Sequence, residues 1–328
     1  LTQRSDEEDA MAEPEFKKAP LMWLDGAMVP WDTGQVHVCT MTVQYGVGVF
    51  EGIRAYPQQG GGTAIFRLRE HVRRMLKSAR ALGLALRFTE EDLVEACLAV
   101  TRESGMDALY LRPTIVYGAG SMGLGALSNP LHVAVAGWSW GRYLGEEGIR
   151  KGTRARTSTW QRLNGRSFLP KAKVTGQYVN SVMAKREALL AGFDEAILLD
   201  EQGLVAEASG ENVFMVEDGL VLTAPRSAPI LDGITRDAVI HLAADLGIPV
   251  REESFSRVQL YGADEAFLTG TAAEITPVRE VDSRTVGSGE VGKVTRALQD
   301  LFFQTVRGAN PRHAGWLTPV GPPPPNAP

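Results

Sequence analysis

At 328 residues, 44% of them hydrophobic and 22% charged, the chain is long enough to form two globular domains. Its formal charge of -5 and pI near 5.7 exclude the broad basic footprint expected of a partner of nucleic acid or of an anionic membrane. Cys39 and Cys97 lie far apart, the five histidines are scattered and no apolar run approaches a membrane span, so no disulfide framework or metal centre is expected and the chain reads as reduced and cytoplasmic.

The opening stretch, LTQRSDEEDAMAEPEFKKAP, is acidic and polar, lacks the apolar centre of a signal peptide and reads as a disordered arm over 1–20, with Met11 a candidate start. LMWLDGAMVPW follows as a hairpin turning at Asp25-Gly26. Strand-like runs occupy 36–43, 49–56 and 63–67, with Gly60, Gly61 and Gly62 turning the chain between the last two. Helices are predicted over 69–82, stopped by Gly83, and over 90–104, where Thr89 and Asp92 form a capping box and Gly105 a C-cap. Strands over 108–117 and 131–138 complete a small α/β domain spanning 21–138, and glycine-spaced residues 139–152 read as a linker.

The larger domain, 153–316, opens with a strand near 153–159 and a helix near 177–191 that ends at Gly192. A meander of DEAILLD, LVAEA, NVFMVEDG and LVLTA follows, with a hairpin turn at Asp218-Gly219. A helix over 234–246, strands near 248–253, 265–269 and 275–281 and a helix over 290–306 close the unit, and residues 317–328 read as a flexible tail. Strands and helices intermix without regular alternation, which makes the fold class α+β.

Residues 118–123, GAGSMG, match the glycine pattern of a dinucleotide site, but Gly125 and Pro130 leave no room for the helix that such a site requires. A glycine loop is the better reading. Lysine is scarce, 8 against 26 arginines, and most lysines sit in polar surroundings that suit solvated charges. Lys171 and Lys173 stand apart. A lysine among small and apolar neighbours is desolvated, which favours the free amine that forms a Schiff base. Glu207, in a small-residue stretch between two strands, is a candidate partner for a pyridine nitrogen. Gly233-Ile234-Thr235 opens a helix and Gly270-Thr271-Ala272 follows a strand, and both offer backbone N–H groups to an anion.

Nine segments in order carry a resemblance: WLDG at 23, YGVGVFEGIR at 45, FRLREHVRRM at 66, YLRP at 110, WGRYLG at 140, AKVTGQY at 172, EASGENVF at 207, GITRD at 233 and GTAAEITPV at 270. Together they resemble the branched-chain aminotransferase family of two-domain, fold type IV pyridoxal phosphate enzymes. The resemblance implies that Lys173 binds pyridoxal 5'-phosphate covalently, with Lys171 the rival, that Glu207 faces the pyridine nitrogen and that Tyr178 bonds the ring hydroxyl. Arg74, Gly233, Ile234, Thr235, Gly270 and Thr271 would hold the phosphate. Tyr45, Phe50, Trp140, Tyr143 and Tyr178 would form an aromatic substrate wall beside Gly52, with Arg112 on its rim. Tyr110, Ala272 and Ala273 would receive the α-carboxylate.

The loop GSMGLG at 120–125, with Leu124, would close the site of a second copy, so at least a homodimer is expected. The implied activity is ping-pong transfer of the amino group between leucine, isoleucine or valine and 2-oxoglutarate. D-amino-acid transamination and aminodeoxychorismate lysis are the rivals on the same fold, and a noncatalytic cofactor-binding protein is the rival of another class.

Overall fold

The computed structural model describes residues 17–126, 128–141 and 144–321. In chain order the first half contains β1 (Leu21–Leu24), β2 (Ala27–Pro30), α1 (Met41–Tyr45), β3 (Gly48–Phe50), β4 (Ile53–Pro57), β5 (Thr63–Phe66), α2 (Leu68–Ala81), α3 (Glu90–Ser104), β6 (Leu109–Tyr117) and β7 (Leu131–Trp138). The second half contains α4 (Gly145–Lys151), β8 (Thr153–Thr157), α5 (Tyr178–Leu190), β9 (Glu195–Leu199), β10 (Val205–Ala208), β11 (Asn212–Glu217), β12 (Leu220–Thr223), α6 (Ile234–Asp245), β13 (Val250–Glu252), α7 (Arg257–Tyr261), β14 (Glu265–Gly270), β15 (Glu274–Val281), β16 (Arg284–Thr285), α8 (Lys293–Val306) and β17 (Leu317–Val320).

The first sheet runs β17-β5-β4-β6-β7-β1-β2 with β3 beside β6, and its pairs are antiparallel. Leu68, Val72, Met75 and Ala79, on one face of α2, bury against it together with Leu93, Cys97 and Val100 of α3. The second sheet runs β10-β9-β8-β15-β14-β11-β12-β13, and β10 also pairs with β11, so six of its strands close a ring. Parallel pairs β8–β9, β8–β15 and β12–β13 make it a mixed sheet. One apolar core spans both halves: Tyr56 and Phe66 of the first sheet pack with Phe214 and Phe267 of the second and with Leu298 and Phe302 of α8. The α+β class inferred from the sequence is the fold observed.

Local chemistry explains most of the elements. Asp25 and Gly26 both take positive φ, as a two-residue hairpin requires, and Asp218 and Gly219 repeat the device. Thr89 and Asp92 exchange both bonds of a capping box, and Gly105 closes α3 in the left-handed conformation. GAGSMG is an irregular loop pinned by Asn129, which accepts from the Ser121 N–H and donates to the Gly118 and Ser121 carbonyls. None of the described residues from 124 to 130 is helical.

Four expectations are corrected. The alternating run 36–43 is not a strand, because the Thr40 hydroxyl caps α1 by accepting from the Val43 N–H at 3.4 Å, leaving Val36 and Val38 exposed. The presumed linker 139–152 contains α4, which buries Ile149 and whose carbonyl at that residue accepts from Gln299. Leu317–Val320, assigned to the tail, pairs with β5. Lys17–Pro20, assigned to the disordered arm, run along β7 through a Lys18–Trp138 bridge and an Ala19 N–H bond to Gly137. The rest of the arm, residues 1–16, and residues 322–328 of the tail lie outside the described residues.

Gly46 ends α1 at φ 70, where a Cβ would stand 2.6 Å from the Gly176 Cα. Gly46→Ala is therefore expected to cost at least about 1 kcal/mol from backbone strain alone, read as a lowered urea midpoint of the purified protein. An unchanged midpoint would show that the two backbones do not meet.

Candidate active site

Residues 172–176 of the second half are zipped onto the start of the first sheet. Val174 bridges Val49, the Phe50 N–H donates to the Lys173 carbonyl at 3.2 Å, and the Lys173 N–H donates to Ser78 Oγ at 2.9 Å. The Gly176 N–H completes the series on the Gly46 carbonyl at 3.0 Å. This pairing turns Lys173 inward. Its Nζ donates to the Tyr178 hydroxyl at 2.7 Å and lies 5.0 Å from the ring centroids of both Phe50 and Tyr178, whose faces favour a cation. Lys171 turns the other way, exposed and paired with Asp232 at 3.0 Å. Periodicity could not separate the two lysines, which an extended chain would place on one face; the turn at Lys171, closed by the Ala172 N–H on the Leu169 carbonyl, together with the zipper does.

Lys173 opens into a cleft that it shares with Gly52, Arg74, Tyr110, Tyr178, Glu207, Gly233, Ile234, Thr235, Gly270, Thr271 and Ala272. Thus most of the residues implicated by the resemblance converge, although they span both halves of the chain. A larger groove of about 880 Å³ lies behind the lysine segment, but Lys173, Glu207 and Arg74 do not line it.

At one end Glu207 is buried on β10, where Oε2 accepts from the Leu231 N–H at 2.9 Å and from Asn212 at 3.3 Å. Arg162 Nε stands 2.6 Å from Oε1, near enough for an ion pair although its N–H is out of hydrogen-bond line. Burial pushes the Glu207 carboxyl above its ordinary value, and the Arg162 charge and the Leu231 N–H pull against that push.

At the other end Arg74 on α2 gives Glu51 two bonds, at 2.6 and 2.9 Å, and gives the Asp232 carbonyl a third at 3.0 Å. His71 Nδ1 adds a contact to Glu51 at 2.8 Å. Burial alone would raise the Glu51 carboxyl; Arg74 and His71 outweigh it and hold the group well below the usual carboxylate range. Next to Arg74, α6 begins at Gly233 without a side-chain cap. A Cβ at Gly233 would stand 2.0 Å from Asn212 Oδ1, so only glycine fits there. The free N–H groups and positive dipole end of α6 face this region.

A cavity of about 410 Å³ adjoins the lysine and is lined by Phe50, Tyr110, Arg112, Trp140, Tyr178, Ala272 and Ala273. The Arg112 guanidinium lies over Phe50, Tyr110 and Trp138 at 4.9, 5.5 and 5.5 Å. Arg54 joins opposite walls, donating to the Trp140 carbonyl at 2.7 Å and the Ala272 carbonyl at 3.4 Å. At Gly52 a Cβ would fall 2.0 Å from the Tyr110 hydroxyl. One assignment is corrected within the single chain: Tyr45 is 44% exposed and does not line this cavity, because the left-handed turn at Gly46 carries it outward. Leu124, in the loop expected to close the site of a second copy, is 83% exposed and also lies outside this cavity. Tyr143 lies outside the described residues.

Sequence reasoning missed Arg162, Glu51, His71, Ser78 and Arg54. Glu51 and Arg54 sit in the YGVGVFEGIR segment and His71 in FRLREHVRRM, yet no local signal discloses what they touch. Among the described residues no cluster could hold a metal ion and no helix is long and apolar enough to cross a membrane.

Comparison with known proteins agrees with this geometry. The profile of the amino-transferase class IV family matches residues 48–281. The branched-chain-amino-acid aminotransferase of Pseudomonas aeruginosa is 45% identical over 302 residues, covering 92% of this chain and 97% of that protein. The crystal structure of the Escherichia coli branched-chain amino acid aminotransferase superposes with a TM-score of 0.90 at 42% identity, over 93% of this chain and all of that one. That of the Thermobaculum terrenum branched-chain amino acid aminotransferase in its PLP-form gives 0.86 at 34% identity, over 93% and 99%.

Glu51→Gln would leave the buried Arg74 charge without its partner, at an expected cost of about 3 kcal/mol or more. Because the folded carboxyl is depressed, its contribution is complete above the ordinary carboxylate range and is lost as the pH falls through the folded value. Urea midpoints of wild type and variant should therefore lie furthest apart near about pH 7 and draw together progressively as the pH falls below the ordinary carboxylate range; a gap independent of pH would contradict the assignment.

Proposed function

The chain belongs to the amino-transferase class IV family, and from that premise we propose that it is a pyridoxal-phosphate-dependent transaminase moving the amino group reversibly between leucine, isoleucine or valine and 2-oxoglutarate. The observation that carries this reading is the single cleft in which Lys173, Glu207, Arg74 and the start of α6 meet.

The cleft suits the cofactor chemically. Three of the five N–H groups of Arg74 are engaged, which leaves two for a phosphate. The uncapped N–H groups of Ile234 and Thr235 supply more, and Thr271 borders the same space. Thr269 Oγ1 lies buried in the cleft wall without a hydrogen-bond partner. Lys173 is the residue to bind the aldehyde, Glu207 to face the ring nitrogen and Tyr178 to bond the ring hydroxyl, while Gly233 and Gly270 keep the phosphate end open.

Bound pyridoxal phosphate supplies an aldehyde that captures amines and a ring that takes up the electron pair left when the α-proton departs. The protein's own groups do the remainder. With the cofactor bound, Lys173 Nζ would be the base that moves the α-proton. Tyr178, 2.7 Å from Nζ, orients that amine. Glu207 would keep a proton on the ring nitrogen, and the Arg162 charge pulls against the burial that favours its neutral form. Apolar side chains meet Phe50, Tyr110 and Trp140, the second carboxylate of glutamate meets Arg112, and the α-carboxylate meets Tyr110 and the backbone of Ala272 and Ala273. One oxo acid leaves before the other binds, which is ping-pong kinetics.

The working unit is at least a homodimer, in which Tyr45 and Leu124 serve the cleft of the second copy. Their exposure, with that of Val36, Val38 and Met122, supports this reading. The unbridged cysteines Cys39 and Cys97 support a cytoplasmic setting.

Borohydride reduction of the holoenzyme followed by peptide mapping is expected to place the pyridoxyl tag on Lys173; a tag on Lys171 would overturn the assignment. Correspondingly, Lys173→Ala should reduce kcat by about a thousandfold or more, whereas Lys171→Ala stays within about tenfold of wild type. Arg112→Ala should lower kcat/KM for glutamate and 2-oxoglutarate at least about tenfold more than for leucine, and equal losses for all three would remove its role in selectivity.

A further inference from the structure

A buried group of charges beside the substrate cavity is left unused by the chemistry above. Glu195, at the start of β9, is fully buried, and Glu211, in the turn between β10 and β11, is nearly so. Lys185 on α5 reaches Glu195 Oε2 at 2.5 Å and the Asp194 carbonyl at 2.6 Å. The other Glu195 oxygen accepts from the Ala196 N–H at 2.7 Å, and Glu211 Oε2 accepts from the Gly210 N–H at 3.1 Å. Two carboxyl groups thus stand near one ammonium, with Glu195 fully buried, Glu211 nearly so and Lys185 partly exposed. If both ionise, one negative charge is left in excess, a situation that buried acids relieve by keeping one proton.

Glu195 bonds directly to the ammonium, which makes Glu211 the acid to retain the proton. Glu211 also lines both the lysine cleft and the substrate cavity, alongside Ala272 and Ala273 and in the same wall system as Arg112. The other charged groups lining these two spaces are Arg74, Arg112, Arg162, Lys173, Arg186 and Glu207.

Resting on the transaminase reading, we propose that Glu211 is a specificity-determining residue: a proton-bearing carboxyl in the cavity wall whose neutrality admits the second carboxylate of glutamate and 2-oxoglutarate. Burial, and after it the Glu195 charge, push its carboxyl up to about 8 against the pull of Lys185. Near pH 7 the group is mostly neutral; above that it ionises and repels anions. Every substrate carries one carboxylate, but a dicarboxylate carries two, so the repulsion selects against it. Arg112 attracts the second carboxylate at every pH, and Glu211 decides whether that attraction is opposed.

The test is the ratio of kcat/KM for 2-oxoglutarate to that for 4-methyl-2-oxopentanoate, measured with the holoenzyme from about pH 6.5 to about pH 9.5. Enzyme titrations that affect both substrates equally cancel in this ratio. In wild type it should fall by at least about threefold through a midpoint near the Glu211 value. In Glu211→Gln the ratio should stay flat at the wild-type neutral value. Glu195→Gln frees Lys185 to pair with Glu211, so there the fall should move to lower pH, which keeps the idea testable if Glu211→Gln does not fold. A flat wild-type ratio, or the same fall in Glu211→Gln, would overturn the role of Glu211 while leaving the transaminase reading intact. Failure to convert either oxo acid would overturn both.

Discussion

Arg74 carries its guanidinium, 13% exposed, to the wall of the cleft, where Glu51 holds it by two bonds and the Asp232 carbonyl takes a third. The ion pair lies within the first half of the chain, and the carbonyl belongs to the loop that starts α6 in the second. A full positive charge is thereby fixed beside an uncapped helix N-terminus, which is an arrangement that invites an anion. The zipper that joins Val174 to Val49 and Lys173 to Phe50 and Ser78 acts in parallel. Together the two contacts set the distance between the anion end of the cleft and the amine that does the chemistry, and both pass through α2 and β3.

Buried acids around the cleft are treated in opposite ways, and the difference is a matter of partners. Glu51 has a guanidinium in good bidentate geometry and an imidazole, which outweigh its desolvation. Glu207 is nearly as buried, but its arginine lies out of hydrogen-bond line and burial wins the balance. Glu211 has a carboxylate neighbour and a lysine already bonded to that neighbour, so its carboxyl is pushed up to about 8. The three groups thereby acquire distinct uses: a fixed charge that carries Arg74, a partner for a ring nitrogen and a proton-bearing wall. Each use follows from the number and alignment of cations within reach, since in a low dielectric those dominate the energy of a charge.

Much of the fold was readable because its punctuation is local. Asp25-Gly26 and Asp218-Gly219 made hairpins, Thr89 with Asp92 opened α3, and Gly83, Gly105, Gly192 and Gly247 marked helix ends, each through backbone conformations that neighbours in sequence enforce. The failures also have local causes. The alternation in 36–43 imitates a strand, yet the Thr40 hydroxyl and Gly46 suffice to wind a short helix there. Glycines across 139–152 look like a linker, although Ile149 has a core to enter. Leu317–Val320 were taken for a tail because the edge of β5 that receives them lies some 250 residues earlier.

The site divides along the same line. The sequence by itself determined the kind of chemistry, since nine ordered segments fix the residue types and their order along the chain, and those survive in a one-dimensional string. Only the tertiary structure decided which lysine faces the cleft, that Arg162 answers Glu207, that Glu51 holds Arg74, and that Tyr45 and Leu124 point away from their own site. The reason is physical. Propensity, capping and turn formation act over a few residues, whereas desolvation and Coulomb attraction depend on distances through space, and those exist only once strands and helices remote in sequence have packed.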